Sequence, residues 1–463
     1  MSVRCMIRNH CWVYVAVGLC SAASAWAADT TSNSPETVAE TPAQKAERMK
    51  WFVDARFGMF IHWGPVSLKG TEIGWSRGTK VPVDVYDHLY KEFNPVKFDA
   101  KQYVSVAKDA GMKYITLVTK HHDGFAMYAT QLSDYSIMHA PLRRDVTKEL
   151  AEECQKQGIH FCTYYSIIDW YHPDYLPRGA GDNRQPQDAD FNRYYDFMKG
   201  QLREIVENYH PSMIWFDGEW EDHWTVERGR DVYAMLRRLD PKIITNNRLG
   251  KDRAFGQGGL TPAEKTVGDF HTPEQETGRF SGDRNVYWES CMTICQQWAW
   301  KPNDALKSLK ECIDLLVTNA GNDGNLMLNV GPMPSGEIEP RQVERLHQIG
   351  QWMKQYGESI YGTRGGPFKP EKWGVCTCKG NSIFVHVLRW PDDGALNLSP
   401  IGKKIIASRL LGGGNIEMKQ TDAGIAIAVP PHSRQQLDTV IELRLDGSAV
   451  DIPPLTDGAG ARD

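Results

Sequence analysis

Helical segments and short apolar strands alternate along most of this 463-residue chain. In the clearest unit, a helix predicted at residues 98–111 has an N-cap aspartate and a terminal glycine, and a strand at 113–119 follows it. Four more helix and strand pairs are predicted at residues 145–158 and 160–165, 189–209 and 213–216, 226–239 and 242–245, and 303–320 and 325–330. A strand at 56–63 precedes them and a helix at 340–356 follows. This alternation is typical of parallel βα units.

The predicted strands end in polar, aromatic or charged residues. The apolar run at 213–216 stops abruptly at Asp217 and Gly218. An aspartate at this position can cap the next helix or pair with an arginine. In a (β/α)8 barrel, however, the C-terminal ends of the strands build the active site. Because the pattern recurs over six strands, we predict a (β/α)8-like TIM barrel at residues 43–362. The alternative is a doubly wound open sheet, but no glycine-rich phosphate loop follows the first strand.

The N-terminal residues have the pattern of a signal peptide. Arg4 and Arg8 precede an apolar run at 12–19, and Ala25, Trp26 and Ala27 form a small-x-small cleavage pattern. The run is too short to span a bilayer. We therefore predict a signal peptide at 1–27, a linker at 28–42, and export to the periplasm or the medium.

After residue 365 the pattern changes to short β-type runs separated by Gly, Pro and Asp. These runs predict a small antiparallel β-sandwich at 366–447, followed by a loose tail at 448–463. Seven scattered cysteines remain after removal of the signal peptide, and their spacing fits neither a disulfide framework nor a zinc site. We predict that most are buried thiols.

Charge and aromatic content narrow the choice of partner. The net charge is −5 and no long basic run occurs, which disfavours nucleic acid and anionic membranes. The 15 Trp and 18 Tyr residues supply flat apolar faces with polar edges, which suit carbohydrate. The oligomeric state cannot be read from the sequence.

The strand ends and the loops after them bring together the side chains that a sugar requires. A sugar needs hydrogen bonds to fixed hydroxyls, a flat face to stack on, and two carboxyl groups for cleavage. The strand ends offer His62, His121, His122, Tyr164, Asp217 and Arg248, and the loops add Glu72, Trp75, Asp269, Glu274, Glu276, Glu289 and Trp298.

A metal site at His121 and His122 is the main chemical alternative. Neighbouring residues of a strand point to opposite faces, so both rings should not reach one ion. There is also no HExxH pattern. We therefore favour two donors to substrate hydroxyls, with hydrogen-bonded core histidines as the remaining alternative. No GxSxG turn suggests a serine nucleophile.

Several motifs carry a resemblance to a known family. RFGMFIHWG, KDAGMKYITLVTKHHDGF, IWFDG, WESCMTI and LVTNAGNDGNLMLNVGPMPSG are similar to motifs of the alpha-L-fucosidases of glycoside hydrolase family 29. The resemblance runs from about residue 45 to 365. It implies a (β/α)8-like barrel followed by a β-sandwich, no metal or other cofactor, and a retaining exo-enzyme that removes terminal alpha-L-fucosyl residues from glycans.

The resemblance also implies roles for individual residues. Asp217 matches the family nucleophile, and the family's binding residues match His62, His121, His122, Tyr164 and Arg248. Glu72 and Trp75 resemble its Glu-Trp pair, although Ile73 and Gly74 separate them here. Trp298 is placed among the substrate-binding residues.

The family's acid/base residue lies in a variable loop. Glu274 in GDFHTPEQE is the best match, and Glu276 is a near neighbour. Glu289 is a further alternative, although WESC also fits a structural position of the barrel. The acid/base should have a higher pKa than Asp217, and burial against Trp298 would raise it.

Two other functions remain open from sequence. One is an exo-glycosidase for alpha-L-galactosides, since that sugar differs from fucose only at C6. The other is a glycan-binding protein with a disabled site, which the presence of Asp217 and a loop carboxylate disfavours.

Overall fold

The computed structural model of the chain describes residues 40–254, 261–278, 283–392 and 394–455. The predicted signal peptide and most of the predicted linker lie outside these residues. The helices are α1 Pro42–Ala55, α2 Val83–Tyr86, α3 Ala100–Asp109, α4 Val146–Gln157, α5 Phe191–Tyr209, α6 Val226–Leu239, α7 Leu309–Gly321 and α8 Pro340–Tyr356. In the described part of the chain, no helix has the length and apolar character needed to cross a membrane.

Seven parallel strands form the central sheet, in the order β5-β4-β3-β2-β1-β7-β6. They are β1 Phe57–Ile61, β2 Tyr114–Lys120, β3 His160–Ser166, β4 Met213–Asp217, β5 Ile244–Thr245, β6 Glu289–Thr293 and β7 Asn325–Val330. The first strand pairs with both the second and the last, as in a barrel. This order confirms the barrel-like class and excludes the doubly wound alternative.

A short segment, residues 270–274, closes the gap between β5 and β6. On one side Phe270 bridges Asn246 just beyond β5. On the other side His271 bridges Trp288, and Glu274 bridges Cys291 of β6. This segment, named here the closing segment, takes the place of an eighth strand. Glu274 therefore lies on a backbone paired with the barrel, whereas the sequence suggested an unpaired loop.

Alternation along the strands decides which side chains face the barrel interior. In β4, Ile214 and Phe216 pack in the outer core with the helices, whereas Met213 and Trp215 belong to the inner cluster. Because the side-chain period of a strand is two residues, Asp217 continues the inward-facing row. The same rule turns Phe60 of β1 and Tyr164 of β3 inward.

Local capping sets where the helices begin. The predicted N-cap Asp99 accepts hydrogen bonds from the backbone of Lys101 and Gln102. The helix predicted at 303–320 starts later, at Leu309, because Ser308 and Glu311 form a capping box.

Two antiparallel sheets follow the barrel, with strand orders β12-β15-β10-β9-β8 and β11-β14-β13. Their strands are β8 Arg364–Gly365, β9 Gly374–Lys379, β10 Ser382–Val387, β11 Ala395–Leu398, β12 Ile405–Leu410, β13 Glu417–Thr421, β14 Gly424–Ala428 and β15 Thr439–Leu445. A separate apolar core lies among these strands, which fits the predicted sandwich class, while the predicted domain boundaries stay a prediction.

The start of the predicted loose tail is packed instead. Ala449 and Ile452 are buried in the sandwich core, and the backbone amide of Leu455 donates to the carbonyl of Pro367. Residues 456–463 lie outside the described residues. All seven cysteines predicted as thiols are free and buried, which confirms that prediction.

Candidate active site

Asp217 ends β4 inside the barrel and is held by several donors. Its Oδ1 accepts hydrogen bonds from Arg248 Nη1 at 2.6 Å and from the amide of Gly218 at 3.0 Å. Its Oδ2 accepts from the Tyr164 hydroxyl at 3.1 Å. Burial acts to raise the pKa of Asp217, but the charge of Arg248 outweighs it and lowers the pKa to about 2. Asp217 is therefore an ionised carboxylate at any ordinary pH.

Arg248 connects Asp217 to Glu274. It lies in a 3-10 turn after β5, fully buried, with its guanidinium 4.3 Å above the Trp215 ring. While Nη1 binds Asp217, Nη2 donates to Glu274 Oε2 at 2.8 Å, and Nε donates to Thr272 Oγ1 at 3.0 Å. One buried cation thus fixes two carboxylates that come from β4 and from the closing segment.

The three predicted histidines gather beside this pair. The His62 Nδ1 is 2.7 Å from Asn329 Oδ1, and the His122 Nδ1 is 2.6 Å from Ser166 Oγ. The His121 ring stacks on Tyr164, and its Nδ1 has no hydrogen-bond partner among the described residues. Burial lowers the pKa of His62 to about 3 and of His122 to about 4, and lowers the pKa of His121 well below 6.5. All three are neutral imidazoles.

The prediction that the His121 and His122 rings point to opposite faces of a strand is wrong. Their ring centroids lie only 4.3 Å apart, and both rings lie beside the Asp217 site. The reason is that β2 ends at Lys120, so the two histidines belong to the turn that follows. Within the described residues, however, no group of three or more His, Cys, Asp or Glu side chains could hold a metal ion.

The aromatic residues and Glu72 complete the surroundings. Trp298 packs against His62 at 4.8 Å between ring centroids, and Trp75 is half exposed. Glu72 does not line the pocket. Its carboxylate accepts hydrogen bonds from the amides of Trp298 and Ala299, each at 3.1 Å, so it holds the 298 loop in place. A direct contact between Glu72 and a ligand stays a prediction.

His122 and Glu72 lie outside the lining of the pocket at the C-terminal end of the strands, which consists of eleven side chains. The sequence indicated most of them, but it missed three, namely Phe60, Trp215 and Cys291. It also missed Asn329, whose signal is a polar residue inside the apolar run NLMLNV. The full lining is Phe60, His62, Trp75, His121, Tyr164, Trp215, Asp217, Arg248, Glu274, Cys291 and Trp298.

The two alternative carboxylates lie elsewhere. Glu289 starts β6, and because all seven strands are parallel this is the end of the barrel opposite the pocket. It is fully buried and accepts hydrogen bonds from the Tyr114 hydroxyl and from Trp215 Nε1. Glu276 follows the closing segment and does not line the pocket. Its backbone carbonyl accepts a hydrogen bond from the Ser290 hydroxyl. Of the three carboxylates, Glu274 is the one that lines the pocket.

Glu289 should make the stability of the protein depend on pH. Burial raises its pKa from 4.5 to about 8. Between these values the folded state keeps a proton that the unfolded chain releases, so the free energy of unfolding falls as pH rises. In Glu289→Gln the side chain is uncharged at every pH. We therefore expect the free energy of unfolding of this variant to fall less between pH 5 and pH 8 than that of wild type, by on the order of 3 kcal/mol. Urea unfolding at both pH values tests this, and an equal loss in wild type and variant would contradict it.

Tyr86 ties the first loop to the turn that carries the histidines. Its hydroxyl donates to Asp123 Oδ2 at 2.7 Å and accepts from the Gly74 amide at 2.9 Å. Burial raises the pKa of Asp123 to about 6. Tyr86→Phe removes both hydrogen bonds, so we expect the free energy of unfolding to fall by about 1–3 kcal/mol.

The control for this change is Tyr171→Phe, because that ring is partly exposed and its contact is a stack on Tyr135. We expect the control to change stability by less than about 0.5 kcal/mol. Urea unfolding measures both variants. Equal changes in the free energy of unfolding would show that the hydrogen bonds of the Tyr86 hydroxyl do not stabilise the fold.

Comparison with known proteins agrees with this site. The family profile described as Alpha-L-fucosidase matches residues 23–358. The tissue alpha-L-fucosidase of Bos taurus is 30% identical over 391 residues, covering 78% of this chain and 80% of that protein. The structure of alpha-L-fucosidase isoenzyme 1 from Paenibacillus thiaminolyticus has a TM-score of 0.78 at 34% identity and covers 88% of this chain and 100% of its own.

A second structure bears on mechanism. A GH29 alpha-L-fucosidase from Bacteroides thetaiotaomicron, trapped as a covalent intermediate with 2-fluoro-fucosyl fluoride, has a TM-score of 0.76 at 29% identity. The match covers 87% of this chain and 96% of that one. The profile spans well over half of the residues, and these relatives cover more than three quarters of the chain. This chain therefore belongs to the alpha-L-fucosidases of glycoside hydrolase family 29.

Proposed function

We propose that this protein removes terminal alpha-L-fucosyl residues from glycans by double displacement, with Asp217 as nucleophile and Glu274 as acid/base. The observation that carries the assignment is the Arg248 bridge, which holds both carboxylates in one pocket. A single guanidinium bridges two carboxylates only when they are a few ångströms apart. A retaining mechanism requires two carboxyl groups in one pocket, about 5–5.5 Å apart, and the bridge places both there.

In the first step the ionised Asp217 attacks C1 of the fucosyl ring. The bond from C1 to the leaving oxygen breaks, and that oxygen takes the proton of Glu274. The product is an ester between Asp217 and the sugar. In the second step Glu274 removes a proton from water, the water oxygen attacks C1, and the ester bond breaks. Fucose leaves with its original configuration and Asp217 is a carboxylate again.

The residues that surround the two carboxylates bind the sugar in this scheme. Neutral imidazoles can donate or accept, so His62, His121 and His122 suit hydroxyl groups. Since the Nδ1 of His62 is engaged by Asn329, its Nε2 is the nitrogen left for a hydroxyl. The aromatic faces of Phe60, Trp215 and Trp298 supply the apolar side of the pocket. Arg248 orients Asp217 and Glu274 through its hydrogen bonds to both.

One predicted feature of the acid/base differs in the structure. Burial against Trp298 was expected around it, but the Glu274 side chain is one third exposed and is paired with Arg248. This exposure suits a group that must reach a leaving oxygen from the open side of the pocket and later meet water.

The N-terminal pattern of residues 1–27 supports export, which completes the proposal: the enzyme acts in the periplasm or outside the cell on fucosylated glycans. Processing can be checked on the exported protein by sequencing its N-terminus, which we expect at residue 28 or 29.

The test of function is hydrolysis of 4-nitrophenyl alpha-L-fucoside followed by proton NMR. We expect alpha-L-fucose to form first and then mutarotate. The corresponding alpha-L-galactoside is the comparison substrate, since it adds one hydroxyl at C6. Initial release of the beta anomer, a preference for the galactoside, or binding without turnover would each overturn the proposal.

A further inference from the structure

Two of the histidines beside Asp217, His62 and His122, are each bound through Nδ1 by one polar side chain. A neutral imidazole carries its single proton on either Nδ1 or Nε2, and the nitrogen without the proton is an acceptor. The partner of Nδ1 therefore decides whether Nε2 donates to a ligand or accepts from it. In both residues the partner's other hydrogen bond allows only one tautomer.

Ser166 fixes the tautomer of His122. Its hydroxyl oxygen lies 2.6 Å from His122 Nδ1 and 2.8 Å from the carbonyl oxygen of Ile168. Because a carbonyl oxygen only accepts, the single hydroxyl proton of Ser166 is donated to Ile168. The hydroxyl can then bind Nδ1 only by accepting from it. His122 therefore carries its proton on Nδ1, and its Nε2 is an acceptor.

Asn329 has the same effect on His62. Its Nδ2 donates to the carbonyl oxygen of Trp298 at 2.7 Å, which orients the amide so that Oδ1 faces His62 Nδ1, also at 2.7 Å. An amide oxygen only accepts, so Nδ1 must be the donor. Both histidines and both of their partners are buried, so leaving one of these donors unpaired would be costly. The Nε2 of His62 is then an acceptor as well.

The surroundings of His122 show what this tautomer requires of a ligand. The Nε2 atom lies 3.6 Å from Asp217 Oδ2. Both atoms are acceptors, because the imidazole is neutral and the carboxylate is ionised. Two acceptors cannot form a hydrogen bond with each other. A ligand hydroxyl that donates here relieves the unfavourable approach of the two atoms.

We propose that Ser166 and Asn329 are positioning residues that fix the tautomers of these two histidines. They make the Nε2 atoms of His62 and His122 acceptors, so a bound fucosyl ring must donate the protons of two hydroxyl groups. The inference rests on the proposed function for the identity of the sugar, whereas the tautomers are a property of the ligand-free protein. An O-methylated or O-sulfated fucosyl residue has lost one such proton and cannot make the corresponding bond.

Nuclear magnetic resonance reads the tautomers directly. In protein labelled with nitrogen-15 histidine, long-range proton–nitrogen correlation spectra distinguish protonated from unprotonated ring nitrogens. Signals are assigned by their loss in His62→Gln and His122→Gln, and spectra are recorded at pH 8 without ligand. We expect an unprotonated Nε2 in both residues of wild type. A protonated Nε2 in either residue would overturn the inference.

Ser166→Ala removes the hydroxyl that accepts from His122. The ring can then exchange between tautomers, so the acceptor form is populated only part of the time. We expect mixed ring signals for His122 but not for His62. We also expect the inhibition constant of L-fucose, measured by competition with 4-nitrophenyl alpha-L-fucoside, to rise about fivefold. Unchanged His122 signals would overturn the role of Ser166.

Ser359→Ala is the matched control. Ser359 is equally buried, and its hydroxyl also donates to a backbone carbonyl, that of Tyr356, at 2.7 Å. It lies in the turn after α8, and its hydroxyl has no histidine partner in the described part of the chain. We expect its histidine signals and its inhibition constant to equal those of wild type. A fivefold rise in the control too would show that loss of any buried hydroxyl suffices, which would overturn the inference.

Asn329 offers a second pair of variants, which decides the question should Ser166→Ala fail to fold. Asn329→Asp keeps an oxygen that accepts from His62 Nδ1, whereas Asn329→Leu has a similar size but no acceptor. We expect the aspartate variant to keep His62 Nε2 unprotonated at pH 8. In the leucine variant we expect mixed tautomers and about fivefold weaker inhibition by L-fucose. Equal tautomer populations in the two variants would overturn the role of Asn329.

The two kinds of measurement separate this inference from the proposed function. The spectra of the ligand-free protein do not depend on any activity. Failure of wild type to hydrolyse 4-nitrophenyl alpha-L-fucoside would overturn the proposed function, and the spectra would still decide which nitrogen of each ring carries the proton.

Discussion

Asp217→Asn is expected to lower kcat/KM on 4-nitrophenyl alpha-L-fucoside by a factor on the order of 10⁴ or more. The amide has nearly the same shape but no negative charge, so it cannot form the ester with C1. It also loses the ion pair with Arg248 at 2.6 Å, which keeps the carboxylate ionised. Initial-rate kinetics on purified protein, with the melting temperature recorded in parallel, measures this effect.

Azide distinguishes the loss of the nucleophile from the loss of the acid/base residue. If Asp217 is the nucleophile, azide should not restore turnover with retained configuration, because the residue that must form the intermediate is missing. A folded Asp217→Asn variant that retains more than about one per cent of wild-type activity would contradict the assignment.

Glu274→Ala is expected to produce a loss that depends on the leaving group. A poor leaving group such as a sugar hydroxyl needs a proton, so we expect kcat/KM to fall by about 10²–10⁴. Fucosyl fluoride or a dinitrophenyl fucoside needs little protonation, so the first step should survive and the intermediate should accumulate. Added azide should then accelerate turnover and yield fucosyl azide with retained configuration.

Glu276→Ala and Glu289→Gln are the controls for this series. Neither side chain lines the pocket, and Glu289 lies fully buried at the far end of the barrel. We expect their losses to be similar for good and poor leaving groups. Should Glu289→Gln show the leaving-group dependence and azide rescue while Glu274→Ala does not, the acid/base role would pass to Glu289.

The sequence predicted the elements whose signals are local. The run MIWF followed by Asp217 indicated a buried strand with a carboxylate at its end, and strand alternation inside the barrel places that carboxylate inward. The bounds of α6, α8 and β7 were predicted to the residue. Each depends on periodicity and end signals that a sequence displays directly.

Contacts between residues that are distant in the sequence could not be predicted. Arg248 binds Asp217 and Glu274, which are 31 and 26 residues away in the sequence, and no local sequence pattern indicates such a bridge. β6 was missed because its first residue, Glu289, is a carboxylate that the strand buries. The closing segment contains Pro273 and pairs through isolated bridges, so its sequence has no strand pattern. For the same reason the pairing of Glu274 with the barrel became visible only in the structure.

The central claim, that Asp217 forms the covalent bond to the sugar, is tested most directly by trapping the intermediate. Wild-type protein is incubated with 2-fluoro-fucosyl fluoride, digested, and its peptides are mapped by tandem mass spectrometry. We predict one fluorofucosyl group per chain, located on Asp217 in the peptide that contains IWFDGEW. A label on Glu274, Glu289 or any other residue, or consumption of the reagent with no label at all, would contradict the assignment.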